Sequence, residues 1–319
     1  YTFSRMIMAF GGSMIIVFIN SFVAKFIPND KKIMTSAIIT AAYNVGAALV
    51  AILFLLFKEH FVEDWRYTMI GFSIFSIILF ICWLIFSHDF EPTITWKHPN
   101  YFVYKLLIES KETLHEEDAK KYTYADGFKD KFIYVFSLGF GGFLFLYVMP
   151  LVSLPRVVAE HAHNSSFKPE FMILTVTLGG IIGTLFSLMV TRKLNFRRKP
   201  FLIAHGVLMI GFMALGLTFV STNVVLSYIM FSLSGFFMYS QYPVYLNLPY
   251  ELPNMNSQRL TIMFGIFWAF GYAIYTLFNF TWSLVLNHMG YNSSIIFYLL
   301  GSLIYIIFVF TFPETRPKK

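Results

Sequence analysis

Trp268, Tyr272, Tyr275, Asn279 and Trp282 follow one another at intervals of four, three, four and three residues. That spacing lays all five along one side of an α-helix. Aromatic rings in a row offer a stacking surface to the flat face of a sugar or a heterocycle, and the Asn279 amide adds both a donor and an acceptor. Trp and Tyr also gather at the membrane boundary, where one end of the ring is wet and the other dry. Tyr272 and Tyr275 fall near the middle of their apolar stretch, away from either boundary. The reading carried forward is a solute-binding face that includes Trp268, Tyr272, Tyr275 and Asn279, with helix packing as its alternative.

Other polar side chains recur inside apolar stretches. Gln241 and Tyr245 share a helical face, and Pro243 between them lacks the N–H that a helix needs, so this stretch can kink and act as a gate. Gln241 is equally suited to bond one helix to the next. Arg5 and Asn20 fall on roughly one face of the first stretch. An ionisable group within a span is a candidate for binding an anion or coupling an ion; the alternative is that Arg5 snorkels to the interface. Ser36, Thr40 and Asn44 form a polar stripe that suits helix–helix bonding, and Asn44 is kept as a binding candidate. A basic run holds Arg192, Lys193, Arg197, Arg198 and Lys199, while Glu251 and Arg259 flank Pro253. Arg192, Arg197, Arg198, Glu251 and Arg259 are expected to form a gate whose ion pairs close one side.

Several chemistries are not indicated. His161, His163 and Glu160 lie close in sequence, but a metal site needs further ligands and none is evident, so no metal or cofactor is expected. No nucleophile–base arrangement or phosphate loop is visible, which argues against an enzyme. No Asp or Glu lies in the middle of a span. Proton-coupled carriers relay through such groups, so a facilitator or exchanger is the simpler expectation; a coupling proton or ion would need a carboxylate from helices upstream.

The elements that carry these residues are apolar. Nine stretches, at 3–24, 33–57, 67–86, 132–154, 171–190, 201–220, 224–245, 262–286 and 295–312, are each long enough to cross a bilayer. A hydrocarbon core of about 30 Å needs about 20 apolar residues. The chain is 57% hydrophobic and 13% charged, with mean hydropathy +0.65, against about 25% charged in soluble domains. Helices are expected because each satisfies its own backbone in lipid. The expected fold is an all-α polytopic membrane protein of nine transmembrane helices.

With the loop after the first span placed inside and the spans alternating, 19 of the 24 Lys and Arg fall on the inner side. The positive-inside rule selects that orientation and puts the C-terminus in the cytoplasm. The net charge of +7 therefore belongs to loops that flank membrane, and nucleic acid is excluded as a partner. Residues 89–131 form the one long polar segment and are read as a cytoplasmic linker. It separates a partial N-terminal bundle of three spans (1–88) from a C-terminal six-helix bundle (132–312) and a cytoplasmic tail (313–319). A chain that starts at Tyr1, outside, without a signal sequence is expected to lack three upstream helices. An internal echo agrees: Gly46 follows Pro28 by 18 residues, as Gly271 follows Pro253.

Several motifs, in order, resemble the major facilitator superfamily. The run from Arg5 to Gly11 resembles an Arg followed by a Gly-rich stretch, with Ala9 in place of the first Gly. Trp65 and Arg66 resemble the pair that opens a later helix. Thr191 to Lys199 resembles the family's basic loop, and Glu251, Pro253 and Arg259 its acidic-Pro-Arg loop. Pro313, Glu314, Thr315 and Arg316 resemble a sugar-porter tail. The sugar-porter Gln-Gln pattern is absent from 136–150, and the Gly-Pro pair of drug antiporters is absent around Gly46.

The resemblance implies two six-helix halves built from nested three-helix repeats. It implies a secondary active or facilitative transporter in the plasma membrane. Such a protein would move a small polar solute (sugar, sugar phosphate or other metabolite) by alternating access, with membrane lipid and the solute as its partners. The competing expectation is a non-transporting remnant or receptor on the same fold.

Overall fold

Lipid offers no hydrogen bonds to a bare backbone, so apolar stretches of this length must coil on themselves. The computed structural model describes residues 19, 23, 32–57, 63–86, 122–161, 164, 166–193, 196–253, 255 and 257–315, without the side chains of 32, 33, 86, 191–193 and 257. These form α1 (Lys32–Leu56), α2 (Trp65–Phe86), α3 (Tyr124–Lys129), α4 (Lys131–Val148), a 3-10 turn at Met149–Leu151, α5 (Leu154–His161), α6 (Pro169–Lys193), α7 (Arg198–Phe219), α8 (Val224–Glu251) and α9 (Ser257–Thr311). Seven of them are long and apolar enough to cross a membrane. The longest, α9, is two helices joined at Gly290, whose φ of 83° is open to a residue without a Cβ. Its arms correspond to the spans expected at 262–286 and 295–312. The first expected span lies outside the described residues except for Ile19 and Val23.

The chain divides into two compact units, 1–53 with 123–319, and 54–122. In the second, α2 presents Ile70, Phe75, Leu79 and Trp83 outward. The Ser73 and Ser76 hydroxyls donate to the carbonyls of Met69 (2.8 Å) and Phe72 (2.9 Å), so their donors are satisfied within the helix although both residues are exposed. The linker expected at 89–131 lies outside the described residues up to 121. Its end folds as α3, closed by a capping box between Thr123 and Asp126. Asp130 then caps α4 by accepting from the Phe132 N–H at 3.0 Å.

In the larger unit α4 packs chiefly on α9, and α6 on α8, with α7 against α8 and α9. The α4 seam is aromatic: Phe136 and Phe140 each bring their rings to 4.4 Å from Phe267, and Phe136 stacks on Tyr245 at 4.6 Å. The α6–α8 crossing works differently. Gly179 and Gly183 lie one turn apart and meet the Ser232 and Phe236 carbonyls, while Gly235 meets that of Val176. Here backbone rests on backbone, as small residues allow in membranes. A methyl at Gly183 would collide with the Phe236 carbonyl. Gly183→Ala should therefore lower the midpoint of thermal unfolding in detergent, with an overpacking cost of about 1–3 kcal/mol. Gly211→Ala, where a Cβ has open space, should not.

Candidate functional site

A cavity of about 140 Å³ opens between α1 and the helices that follow the linker. Among the described residues Ser36, Ile39, Thr40 and Tyr43 line it from α1, Leu144 and Tyr147 from α4, Tyr242 and Leu246 from α8, and Trp268 and Tyr272 from α9, with Ile19. Every polar lining group among the described residues is a hydroxyl or an indole N–H, and none is charged. The Thr40 hydroxyl donates to the Ser36 carbonyl at 2.8 Å, which leaves its oxygen only acceptor capacity.

The rings form two sets. On α4 and α8, Phe143 stacks on Tyr242 at 5.3 Å and on Tyr147 at 5.8 Å, with planes within 10° and 14°. On α9, Trp268 stacks on Tyr272 at 5.7 Å. Phe140 meets Trp268 edge-on at 5.0 Å and joins the sets from behind. Tyr43 closes the α1 side, 5.9 Å from Tyr147. The Trp268 indole N–H is buried and has no partner among the described residues. A buried donor without an acceptor loses a hydrogen bond relative to water.

A second constellation lies where α7 begins and where α8 and α9 end. Arg198 is 1% exposed, yet it sits at a helix terminus, and its guanidinium reaches Glu251 with Nη2 at 2.8 Å and Nε at 3.2 Å from the carboxylate. The Thr315 hydroxyl donates to Glu251 at 2.6 Å and the Asn247 amide at 3.1 Å. Glu314 takes the place of a cap: its carboxylate accepts the backbone N–H groups of Arg198 (2.8 Å) and Lys199 (3.3 Å). Negative charge at a helix N-terminus is stabilising. Arg197 approaches Glu314 at 3.5 Å but is half exposed and contributes little. Arg259 pairs instead with Asp130 at 3.1 Å, which ties the start of α9 to the cap of α4.

The family model described as "Mycoplasma MFS transporter" matches residues 1–287. The chain belongs to that family. It is 23% identical to a protein of Mesomycoplasma hyopneumoniae (strain J), over 95% of this chain and 65% of that protein. It is 24% identical to a Mycoplasma genitalium protein named as a major facilitator superfamily transporter, over 89% of this chain and 51% of that protein. The chain thus spans roughly half to two thirds of the length of the curated relatives it matches. Among solved structures, the crystal structure of a D-xylose–proton symporter superposes with a TM-score of 0.60 at 20% identity, covering 93% of this chain and 67% of that one. At that identity the likeness establishes the fold.

In this major facilitator chain the residues singled out from sequence separate. Trp268 and Tyr272 line the cavity. Tyr275 and Asn279 do not; the helical face they share runs on along α9, and Asn279 lies roughly 10 Å beyond Tyr272. Gln241 accepts from the Tyr305 hydroxyl at 2.7 Å and donates to the Met209 sulfur at 2.8 Å, so it joins α7, α8 and α9. The Tyr245 hydroxyl donates to the Phe136 carbonyl at 2.6 Å. Asn44 is fully buried, with neither amide atom bonded among the described residues, and does not line the cavity. Arg5 and Asn20 lie outside the described residues, as does the Arg192 side chain. Arg197, Arg198 and Glu251 come together, whereas Arg259 has its own partner.

Sequence reasoning passed over Tyr43, Tyr147 and Tyr242. Tyr43 and Tyr242 each sit one position from a chosen amide, Asn44 and Gln241. One residue is about 100° of helix, enough to move from the buried helix–helix face to the cavity face. An aromatic beside a buried amide is the signal that was there to read.

Proposed function

We propose that this chain forms the greater part of a secondary transporter, active or facilitative, that moves a small polar solute by alternating access. The cavity of α1, α4, α8 and α9 is its central site. One observation carries the reading: the walls come from both sides of the polar linker in sequence, α1 from before it and α4, α8 and α9 from after it. Rocking one bundle against the other would open such a cavity to either face. The three-span part, the linker at 89–131 and the six-helix bundle are the corresponding moving parts.

The Arg198, Glu251 and Glu314 cluster braces the ends of α7, α8 and α9, so these helices travel together as the gate closes; Arg192, Arg197 and Arg259 flank it. The basic balance of the loops supports a cytoplasmic position for this end and for the C-terminus, with the protein in the plasma membrane.

Flux into proteoliposomes made with the full-length protein tests the reading. A panel of labelled small solutes should include one with saturable uptake. Tyr272→Ala should lower that uptake several-fold at equal incorporation. Asn279→Ala, outside the cavity, should leave it within about twofold. Equal uptake by both variants and the parent would remove the cavity from the transport path.

A further inference from the structure

Resting on the transport reading, we infer that His205 is a proton site that sets the pH dependence of transport, acting through the seam between α7 and α8. It is the one histidine within the nine apolar stretches. An ionisable side chain inside a span is costly to keep and marks function by default. His205 lies seven residues past Arg198, roughly 10 Å along the axis of α7, well beyond the charged first turn. The geometry prepares its ring to take one proton. Nδ1 lies 2.9 Å from the Phe201 carbonyl. A carbonyl oxygen can only accept, so Nδ1 carries the hydrogen of the neutral ring and the lone pair is on Nε2. A proton from water that adds at Nε2 makes the imidazolium and leaves the Nδ1 bond in place. The Phe201 ring lies 3.8 Å from the imidazole, tilted by 34°, and the Phe237 ring of α8 meets it edge-on at 5.4 Å. An aromatic face within about 6 Å attracts a cation.

The titratable groups of the elements packed on α7 are engaged elsewhere. Glu251 of α8 pairs with Arg198, and Glu314 of the tail caps the start of α7. Tyr239 and Tyr242 of α8 turn to Tyr147 of α4, and Tyr245 donates to the Phe136 carbonyl. Tyr305 of α9 sets its ring against Gly206 and gives its hydroxyl to Gln241. Burial and the Phe201 carbonyl are the influences on the imidazole, and no charged side chain among the described residues is one of them. A charge at His205 is nevertheless two short steps from the cavity. His205 and Met209 are one turn apart on α7, and Phe237 and Gln241 one turn apart on α8. The Met209 sulfur accepts from the Gln241 amide at 2.8 Å, and Gln241 adjoins Tyr242, a wall of the cavity. An imidazolium calls for water that this seam does not hold, which draws α7 from α8 and disturbs the Gln241 bond beside Tyr242.

The test uses the full-length protein in two formats. In proteoliposomes, uptake of the saturable solute from the flux panel is followed from about pH 5 to 8, the range in which an imidazole changes charge. Parent uptake should change several-fold across that range. His205→Asn, whose amide N–H can keep the bond to the Phe201 carbonyl, and His205→Phe, which keeps a ring in the aromatic packing, should each vary by less than about twofold. Phe201→Leu, which removes the ring and keeps the carbonyl, should retain the profile with its midpoint about half a pH unit lower. In detergent, magnetic resonance of protein with labelled histidine rings reads the proton directly. The His205 signals, identified by their loss in His205→Asn, should titrate in the same range. A flat parent profile, or a profile that both His205 variants share with the parent, would overturn the inference and leave the transport reading standing. Titration of His205 without uptake of any solute would uphold the proton site and overturn transport. A His205 ring that does not titrate would overturn the proton site itself.

Discussion

Glu251→Ala should destabilise the protein by about 3–5 kcal/mol, because it leaves the Arg198 guanidinium buried without its counter-charge. In detergent the unfolding midpoint should fall on the order of 10 °C. The expectation follows from placement: Arg198 is 1% exposed, and Glu251 is also held by Thr315 and Asn247. Burial removes the salt screening that weakens surface pairs, so the effect should persist at high ionic strength. The double variant Arg198→Leu with Glu251→Leu should recover most of the loss, since a buried ion pair and an apolar pair of similar volume come out close to even. A double variant as unstable as Glu251→Ala would show that the helix ends need these charges for another reason. Arg197→Ala serves as the surface control and should cost under about 1 kcal/mol.

Tyr242→Ala should lower uptake about tenfold at equal incorporation. Its ring is a wall of the cavity and lies parallel to Phe143 at 5.3 Å. Truncation removes that wall and frees Phe143 and Tyr147 to relax into the gap. Tyr245→Phe, three residues further along α8, is the matched control. It loses the 2.6 Å bond to the Phe136 carbonyl, about 0.5–1.5 kcal/mol of stability, but does not face the cavity, so uptake should stay within about twofold. Reversal of the two outcomes would place the site on the Tyr245 face.

The membrane class, the helical fold and eight of the nine expected spans were legible in the sequence, because hydropathy over a span sums many residues and one constraint, backbone satisfaction in lipid, leaves little choice. Boundaries were less so. The expected helix at 224–245 runs on to Glu251 through Pro243 and Pro249, since Gln241, Pro243, Asn247 and Pro249 lower the hydropathy before the helix ends. The basic run was legible as seeking acidic partners, but neither the pairing of Arg198 with Glu251 nor Glu314 as the cap of α7 was. That contact joins positions 116 residues apart in sequence, and nothing local in the tail announces it.

The candidate site was half legible. Trp268 and Tyr272 follow from helical periodicity within a single element. Tyr43, Tyr147 and Tyr242 belong to the cavity only because three separate helices turn the same way, which depends on packing angles that no single stretch encodes. Gln241 shows the converse: a polar group in a span reads as functional, and here it is satisfied by the Tyr305 hydroxyl and the Met209 sulfur.

The most direct measurement is solute-protected labelling of a single thiol in the cavity. Cys82 is the only cysteine, and it lies on α2 and is not one of the residues that line the cavity. A Cys82→Ser background can therefore carry Tyr272→Cys, probed with a membrane-impermeant thiol reagent in right-side-out and inside-out vesicles. Alternating access predicts that the engineered thiol reacts from both faces and that a transported solute slows both reactions. A thiol that reacts from one face alone, or whose labelling is the same with and without solute, would contradict a central transport site at this cavity.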